Sequence, residues 1–251
     1  MARQKGIFKV KGTMDDITFY KSKDGFMVRQ KGGVDGKRIA TDPVFQRTRE
    51  NGAEFGRAGK AGKTLRNALR ALLIKSKDHG MVGRLTKMMV KVIQADMVND
   101  RGLRNVIDGE AELLKDFEFN SNAQLSTTLY APFTTSIDRV SGKLTVNVPG
   151  FIPLNMVAAP GGATHYQIVS AGAEVDFEAN GFVVDTSSTA ILPLSNVLTT
   201  AVTLENEVSP ASTKPLFLAL GIEFYQEVNS KMYPLKNGSF NPVAITNVSG
   251  L

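Results

Sequence analysis

The string at residues 56–64 is the first place where the sequence suggests chemistry, because it is glycine-rich and ends in Gly-Lys-Thr. A phosphate-binding loop needs a first glycine five positions before the second, so that its backbone N–H groups can surround the phosphates. Arg57 occupies that position here, and polar residues instead of a hydrophobic strand precede the string. The spacing therefore argues against nucleotide binding.

Histidine and acidic side chains indicate no catalytic site either. His79 falls in a predicted turn and His165 at the start of a predicted strand, and the Gly-x-Ser-x-Gly motif of many hydrolases is absent. Glu174, Asp176 and Glu178 alternate, so they are predicted to lie on one strand face, where carboxylates could bind Ca²⁺ or form a glycosidase pair. Residues two apart on a strand diverge, however, and the same pattern is typical of a solvent-facing strand.

The residue types that the chain lacks exclude several kinds of site. Its 251 residues contain no Cys, no Trp and only two His. Thiol catalysis, disulfides, cysteine-bound zinc and iron–sulfur clusters all require cysteine. The hydrophobic content of 42% and the charged content of 22% are those of a folded protein. We therefore expect a folded protein that is not an enzyme, with no catalytic residues, no metal and no cofactor.

Charge is distributed very unevenly along the chain. Residues 1–110 carry 24 Lys+Arg and 12 Asp+Glu, whereas residues 111–251 carry 6 Lys+Arg and 12 Asp+Glu. The net charge of +6 thus combines a front half of +12 with a rear half of −6. Because the secondary-structure pattern changes at the same place, we predict two domains, a basic one at residues 1–115 and an acidic one at residues 116–251.

Two groups of cations are the candidate contact residues. One group lies on the predicted polar face of a helix and would contact another subunit or phosphate groups: Arg57, Lys60, Lys63, Arg66 and Arg70. The other belongs to an N-terminal arm rich in aromatic residues: Lys9, Lys11, Lys21, Lys23 and Arg29. Cations at this density can neutralise several phosphates, and nearby aromatic rings can stack on bases. Alternatively, the aromatic residues form the core of a small sheet and the cations only solvate it.

The N-terminal segment is predicted to form a small β structure. The β-forming residues 17–20 and 26–28 are separated by Asp24-Gly25, a pair typical of a hairpin turn. Residues 6–10 suggest a third strand. A glycine-rich loop is then predicted at residues 31–37.

A helical hairpin is predicted next. Thr41 or Asp42 can cap its first helix, with Pro43 at the first helical position. Apolar residues recur at steps of three and four and define one buried face: Phe55, Ala58, Gly62, Leu65, Leu69, Leu72 and Leu73. A second helix is predicted at residues 84–98 after a turn at 78–80, and a short third helix at residues 109–117.

Glycines inside the first predicted helix need an explanation. They stand at four positions: Gly52, Gly56, Gly59 and Gly62. Each costs up to about 1 kcal/mol relative to Ala in a helix interior. Either another helix or subunit approaches the backbone closely there, or residues 47–59 are partly a loop.

The rear half is predicted to be β throughout. Polar and apolar residues alternate at 143–148, 166–169, 174–178, 202–205 and 216–228. Turn signals separate these runs at the spacing of a sandwich: Ser141-Gly142, Pro160-Gly161-Gly162, Asn180-Gly181, Ser209-Pro210 and Asn237-Gly238. We therefore predict an α+β fold, with an N-terminal β-hairpin and helical hairpin followed by an antiparallel Ig-like β-sandwich.

No targeting or membrane segment is expected. The first residues place charges at Arg3, Lys5, Lys9 and Lys11, which interrupt the apolar stretch of about 7–15 residues that a secretory signal needs. The longest apolar runs fall far short of the roughly 20 residues that span a bilayer. We expect a cytoplasmic protein without a membrane span.

These patterns favour a non-enzymatic structural protein that self-associates into a filament or shell-like assembly. Opposite charges on the two halves allow copies to dock head to tail, and such interfaces generate rings or filaments. The expected partner is therefore the chain itself, as a homo-oligomer. The alternatives are a nucleic-acid-binding protein that uses the basic half, and an adhesion-type binding module in the sandwich.

The run at residues 11–21, continued through residues 24–29, 47–51, 54–55 and 58–60, resembles a family of uncharacterised proteins from Bacteroidota. Those proteins also pair a short Gly/Lys-rich N-terminal hairpin with an Arg-rich helix and a β-rich C-terminal region. The resemblance implies a bacterial origin and the same two-part layout. It brings no activity and no site residue.

Overall fold

The computed structural model describes residues 2–30, 33–76, 78–235 and 238–250. Lys31 and Gly32 of the predicted glycine-rich loop, and Asn237 of the last predicted turn, lie outside the described residues. The chain forms two compact units, Met1–Arg49 and Glu50–Leu251. The change of composition near residue 115 falls inside the larger unit.

The first unit begins with a small antiparallel sheet. Its strands are β1 (Ala2–Arg3), β2 (Gly12–Met14), β3 (Ile17–Ser22) and β4 (Gly25–Gln30), in the order β1-β4-β3-β2. The predicted hairpin is confirmed, and because Ser22 pairs with Gly25 its two turn residues are Lys23 and Asp24.

The strand predicted at residues 6–10 is wrong, since these residues form an exposed loop between β1 and β2. The reason is a side chain that replaces a strand partner. The amide of Gln4 donates from Nε2 to the carbonyl oxygen of Val10 and accepts at Oε1 from the Val10 N–H, at 3.1 and 2.9 Å. Val10 therefore pairs with a side chain, and no strand forms there.

Short helical segments complete the first unit. Helix α1 (Gly36–Thr41) starts where the Asp35 carboxylate accepts from the Lys37 N–H, so the predicted loop ends earlier than residue 37. Asp42 caps the 3₁₀ turn Pro43–Phe45 by accepting from the Val44 N–H. The predicted use of Asp42 and Pro43 as a helix start is confirmed at this turn, and a long helix follows it.

Three further helices follow: α2 (Gln46–Ala68), α3 (Arg70–Leu73) and α4 (Met81–Gln94). Since α2 is continuous, residues 47–59 do not form a loop. The second predicted helix begins and ends a few residues earlier than expected, and the third is only the 3₁₀ turn Ala111–Leu114.

The predicted apolar face, which runs along α2 and on through Leu69 into α3, is buried at every position except Phe55, which is 62% exposed. Glu54 takes the inward position instead, because its carboxylate accepts from the Gly102 N–H at 2.8 Å. At Gly62 the backbone of α2 lies close to α4, where an added Cβ would meet Leu85 at 3.6 Å. The helices thus pack at one of the four glycines.

Two antiparallel sheets form the rear of the larger unit. Helices α5 (Leu125–Thr128) and α6 (Pro153–Met156) are short. The strands are β5 (Thr134–Asp138), β6 (Lys143–Val148), β7 (His165–Asp176), β8 (Gly181–Ser188), β9 (Leu192–Pro193), β10 (Val202–Glu207), β11 (Leu216–Val228), β12 (Lys231–Pro234) and β13 (Val243–Ser249). The small sheet has the order β10-β6-β5, and the large sheet has the order β12-β11-β7-β8, with β13 paired to β11 and β9 to β7.

The central strands of the large sheet are buried on both faces, whereas its outer strands β8 and β12 are largely exposed. Along β11, Phe217 and Ala219 pack with the helices, whereas Leu218, Leu220 and Ile222 pack with the small sheet. A strand buried on both faces needs a continuous apolar run, and residues 216–222 supply it. The larger unit therefore has three layers of helices, large sheet and small sheet, which confirms an α+β fold with a sandwich-like pair of antiparallel sheets.

Candidate functional site

Two of the five cations predicted on the helix face hold the backbone. Arg57 donates from Nη1 to the carbonyl oxygens of Gly102 and Arg104, at 2.6 and 3.0 Å. Arg66 donates from Nε to the Gly62 carbonyl at 3.1 Å. Both arginines are half-buried. They fasten a loop and a helix turn, and their half-buried side chains are less accessible to a partner than those of the exposed cations.

The other three cations, Lys60, Lys63 and Arg70, are exposed. They share the outward side of the helices with Gly52, Gly56 and Gly59, at which an added Cβ would meet nothing within 4 Å in the described part of the chain. On the outward side, the first part of α2 therefore carries glycines without side chains, and the residues beyond it carry exposed cations.

A cleft of about 260 Å³ opens beside Arg57 and Lys60. Phe177 and Asn180 line it, together with Glu178. The carboxylate of Glu178 lines the cleft with the cations Arg57 and Lys60, so the cleft has mixed polarity.

Cations of the N-terminal arm cover aromatic rings of the first unit. Lys21 Nζ lies 5.7 Å from the centroid of the Phe26 ring, and the guanidinium of Arg29 lies 5.5 Å from that of Tyr20. Such contacts contribute about 0.5–1 kcal/mol at exposed sites. These two rings therefore stack on the chain's own cations, whereas Lys23 is simply exposed.

The remaining arm cations flank an apolar loop. We call residues 5–11 the N-terminal knob: in sequence, Lys5, Lys9 and Lys11 flank Ile7 and Phe8, whose side chains are 95% and 88% exposed. Lys9 Nζ donates to the carbonyl oxygen of Gln4 at 2.5 Å. Lys9 and Lys11 are among the predicted contact residues, whereas residues 6–10 of the knob were expected to form a strand.

A second cleft, of about 300 Å³, lies in the larger unit. We call it the acidic pocket. Leu125, Phe133 and Ala244 give it apolar walls, and Asp116 and Glu118 supply two carboxylates. The remaining lining residues are polar and uncharged: Gln124, Ser126 and Thr246. No cation lines the pocket among the described residues.

The backbone around the acidic pocket fixes its two carboxylates. The Asp116 N–H donates to the Ile245 carbonyl at 2.7 Å, so the segment that carries both acids runs antiparallel beside β13. The Glu118 carboxylate accepts from the Leu125 N–H at 2.9 and 3.0 Å. Burial raises the pKa of Glu118 and the charge of Asp116 adds to this, against the opposing N–H donors and Arg84. A cation at the pocket would favour the ionised form.

The alternating carboxylates do not form a cation site. β7 ends at Asp176, so Glu178 lies beyond the strand. Glu174 accepts from the Ser209 N–H, and Asp176 pairs with Lys214 Nζ at 2.9 Å. Among the described residues, no group of three or more His, Asp or Glu side chains could hold a metal.

The remaining sequence motifs occupy ordinary structural positions. The Gly-Lys-Thr string lies within α2, so its backbone N–H groups bond along the helix. His79 precedes α4 in an exposed turn, and His165 begins β7 with its Nδ1 2.9 Å from Thr164 Oγ1. In the part of the chain that the structure describes, no helix is long and apolar enough to cross a membrane.

Comparison with known proteins adds no functional information. No protein-family model matches the chain, and no curated protein matches it. The crystal structure of the human F-spondin reeler domain (fragment 1) is 12% identical, over 50% of this chain and 99% of that one, with a TM-score of 0.17. A TM-score this low carries no argument about fold or function.

Proposed function

We propose that the protein is a non-enzymatic structural subunit that self-associates into a filament or shell-like assembly through its N-terminal unit. One observation carries the proposal. Residues 2–30 and 33–49 form a four-stranded sheet, a helix and a turn, yet none of their side chains is buried.

The energy of folding makes this arrangement unusual for an isolated chain. Ordering the backbone costs about 1–2 kcal/mol per residue, and apolar burial at roughly 25 cal/mol per Å² is the main compensation. Large apolar side chains of the first unit are instead exposed, among them Met14, Ile17 and Val44. A partner that covers this unit would supply the missing burial.

Charge favours a second copy as that partner. Residues 1–49 carry 12 Lys+Arg and 5 Asp+Glu, a net charge of +7, whereas residues 111–251 have a net charge of −6. Copies of the chain therefore carry the complementary charges that steer association and fix its register. We also propose that the sandwich is immunoglobulin-like and that the chain is related to the Bacteroidota proteins that it resembles.

The test is light scattering after size exclusion, over a range of protein concentrations and at low and high salt. We expect the mass to exceed that of a monomer and to rise with concentration. Because the chain has five Tyr and no Trp, absorbance at 260 and 280 nm reveals bound nucleic acid in the same run. A monomer at every concentration and salt would contradict the proposal.

Nucleic-acid binding is the second candidate, and the exposure of Lys60, Lys63 and Arg70 on one side of the helices favours it. Phosphate contacts make affinity fall steeply with salt. Reversal of these three charges to Glu should weaken binding to a labelled duplex and lower the salt slope by about one per lost contact. Reversal of the exposed Lys87, Lys91 and Lys115 is the matched control. Equal loss in both variants would indicate a general charge effect and no site.

A further inference from the structure

The N-terminal knob presents its apolar tip on a braced loop. The Gln4 amide bonds both backbone groups of Val10 and also donates from Nε2 to the Met27 carbonyl at 3.1 Å. Lys9 bonds back to Gln4. A loop held in one shape loses little conformational entropy when it binds, so the exposed Ile7 and Phe8 are preorganised for a contact.

The chemistry of the knob defines what it can bind. Ile7 and Phe8 require an apolar cavity, because in water they are almost fully exposed. Lys5, Lys9 and Lys11 require carboxylates at the rim of that cavity. A complementary surface is therefore a small apolar pocket with acidic residues and no cation.

The acidic pocket meets each of these requirements. Its volume of about 300 Å³ accommodates one aromatic side chain, and Leu125, Phe133 and Ala244 provide apolar contacts. Asp116 is exposed and Glu118 is half-buried, so both can face approaching lysines.

We propose that the N-terminal knob of one copy inserts Phe8 into the acidic pocket of a second copy. This inference rests on the proposed function, since it names the two surfaces through which the copies associate. The knob and the pocket are different surfaces, and each copy carries one of each. The interface therefore joins unlike surfaces of the two copies and is heterologous. Such contacts extend into filaments unless the rotation between copies closes a ring.

The experiment uses two full-length variants that remove one surface each. Phe8→Ser removes the apolar tip, and Ser126→Trp fills the mouth of the pocket. Both positions are exposed, so neither change disturbs the fold core. Each variant alone should associate at least about thirtyfold more weakly than the wild type, as for an aromatic anchor residue. Mixed together, they should form a 1:1 dimer that grows no further, because one intact knob and one intact pocket remain.

Matched controls separate these effects from general changes of the surface. Phe55→Ser removes another exposed phenylalanine, and Asn196→Trp adds a tryptophan at another exposed polar position. Both controls should assemble as the wild type does. If the wild type is a monomer throughout, the proposed function fails together with this inference. If the wild type associates and Phe8→Ser and Ser126→Trp associate equally well, self-association stands and the knob-and-pocket contact is refuted.

A lipid surface is the competing occupant of an apolar loop flanked by lysines. Flotation with vesicles of anionic phospholipid tests it on the same proteins. Vesicle binding that Phe8→Ser abolishes, in a protein whose mass neither variant changes, would assign the knob to membranes and overturn the proposal.

The absence of cysteine permits a direct test of proximity. Ile7→Cys and Gln124→Cys place one thiol on the knob and one on the pocket. When the two single variants are mixed and oxidised, the proposal predicts a disulfide-linked dimer of the two different chains, and the double variant should give a ladder of linked oligomers. An equal yield of linked dimer when Asn196→Cys replaces Gln124→Cys in the mixture would mean random collision and would refute it.

Discussion

Alanine at Gly52, Gly56 and Gly59 should stabilise the larger unit. All three glycines lie inside α2, and at each of them an added Cβ would meet nothing within 4 Å in the described residues. Glycine in a helix interior is about 0.8–1 kcal/mol less favourable than alanine. With the three contributions roughly additive, we expect the free energy of unfolding to rise by about 2–3 kcal/mol.

Urea and thermal unfolding measure the effect. A protein of this size gains about 2–4 °C per kcal/mol, so the triple variant should melt about 4–12 °C higher than the wild type. Gly172→Ala is the control in the opposite direction. Its Cβ would lie 2.7 Å from the Cβ of Asn206, and overpacking of this kind costs about 1–3 kcal/mol.

A triple variant that is no more stable than the wild type, together with the expected loss of stability in Gly172→Ala, would contradict this prediction. A loss of stability confined to the associated protein would mean that another copy packs on these glycines. In that case the missing side chains serve an interface on α2, and the helix would compete with the N-terminal knob as the main contact.

Two further predictions concern buried polar groups. Tyr166 is fully buried and its hydroxyl has no partner in the described part of the chain, and burial raises its pKa to about 12. Tyr166→Phe should therefore leave the urea midpoint unchanged or raise stability by about 1 kcal/mol, and a clear loss would reveal a hydrogen bond to this hydroxyl. Asp96 is also fully buried; burial disfavours its charge, but hydrogen bonds from Asn99, Asn105 and Val98 outweigh this and lower its pKa from 3.8 to about 2. A carboxyl whose pKa is lowered in the folded state stabilises the fold at pH values above its unfolded-state pKa, so the wild type should lose this contribution between about pH 4 and pH 2. The free energy of unfolding of Asp96→Asn should be lower at pH 7 and should change less over that range. Equal pH profiles for the two proteins would refute this role.

The β-rich region could be predicted from sequence because its strands obey local rules. Alternation located β6 and β10. It was also predicted for residues 216–228, but the first part of β11 is a continuous apolar run because both of its faces are buried, so the strand was found and its two-sided burial was not. The same rules gave a wrong prediction for the N-terminal knob, where they predicted a strand at residues 6–10. Its pattern is that of a strand, but the Gln4 amide takes the partner that a strand would need.

Long-range contacts explain why the candidate site could not be predicted. Arg57 bonds to carbonyls that lie 45 and 47 residues further along the chain, so nothing local distinguishes it from the exposed Lys60. The acidic pocket combines Asp116 with Thr246, and no periodic pattern links positions so far apart. A list of cations from sequence therefore mixes groups that hold the fold with groups that face outward.

Attraction between opposite charges and burial of Phe8 predict different effects of salt on the assembly. Interactions between exposed charges are largely screened beyond about 8–10 Å at physiological salt, so copies attracted only by their net charges of +7 and −6 would separate as salt rises. Burial of Phe8 in an apolar pocket does not weaken with salt, and lysines close to Asp116 add only part of the affinity. We therefore expect high salt to slow association but to leave much of its strength. If the wild type keeps its associated mass at high salt and Phe8→Ser does not, the contact depends on the fit of Phe8 and not on attraction between the basic N-terminal unit and the acidic residues 111–251.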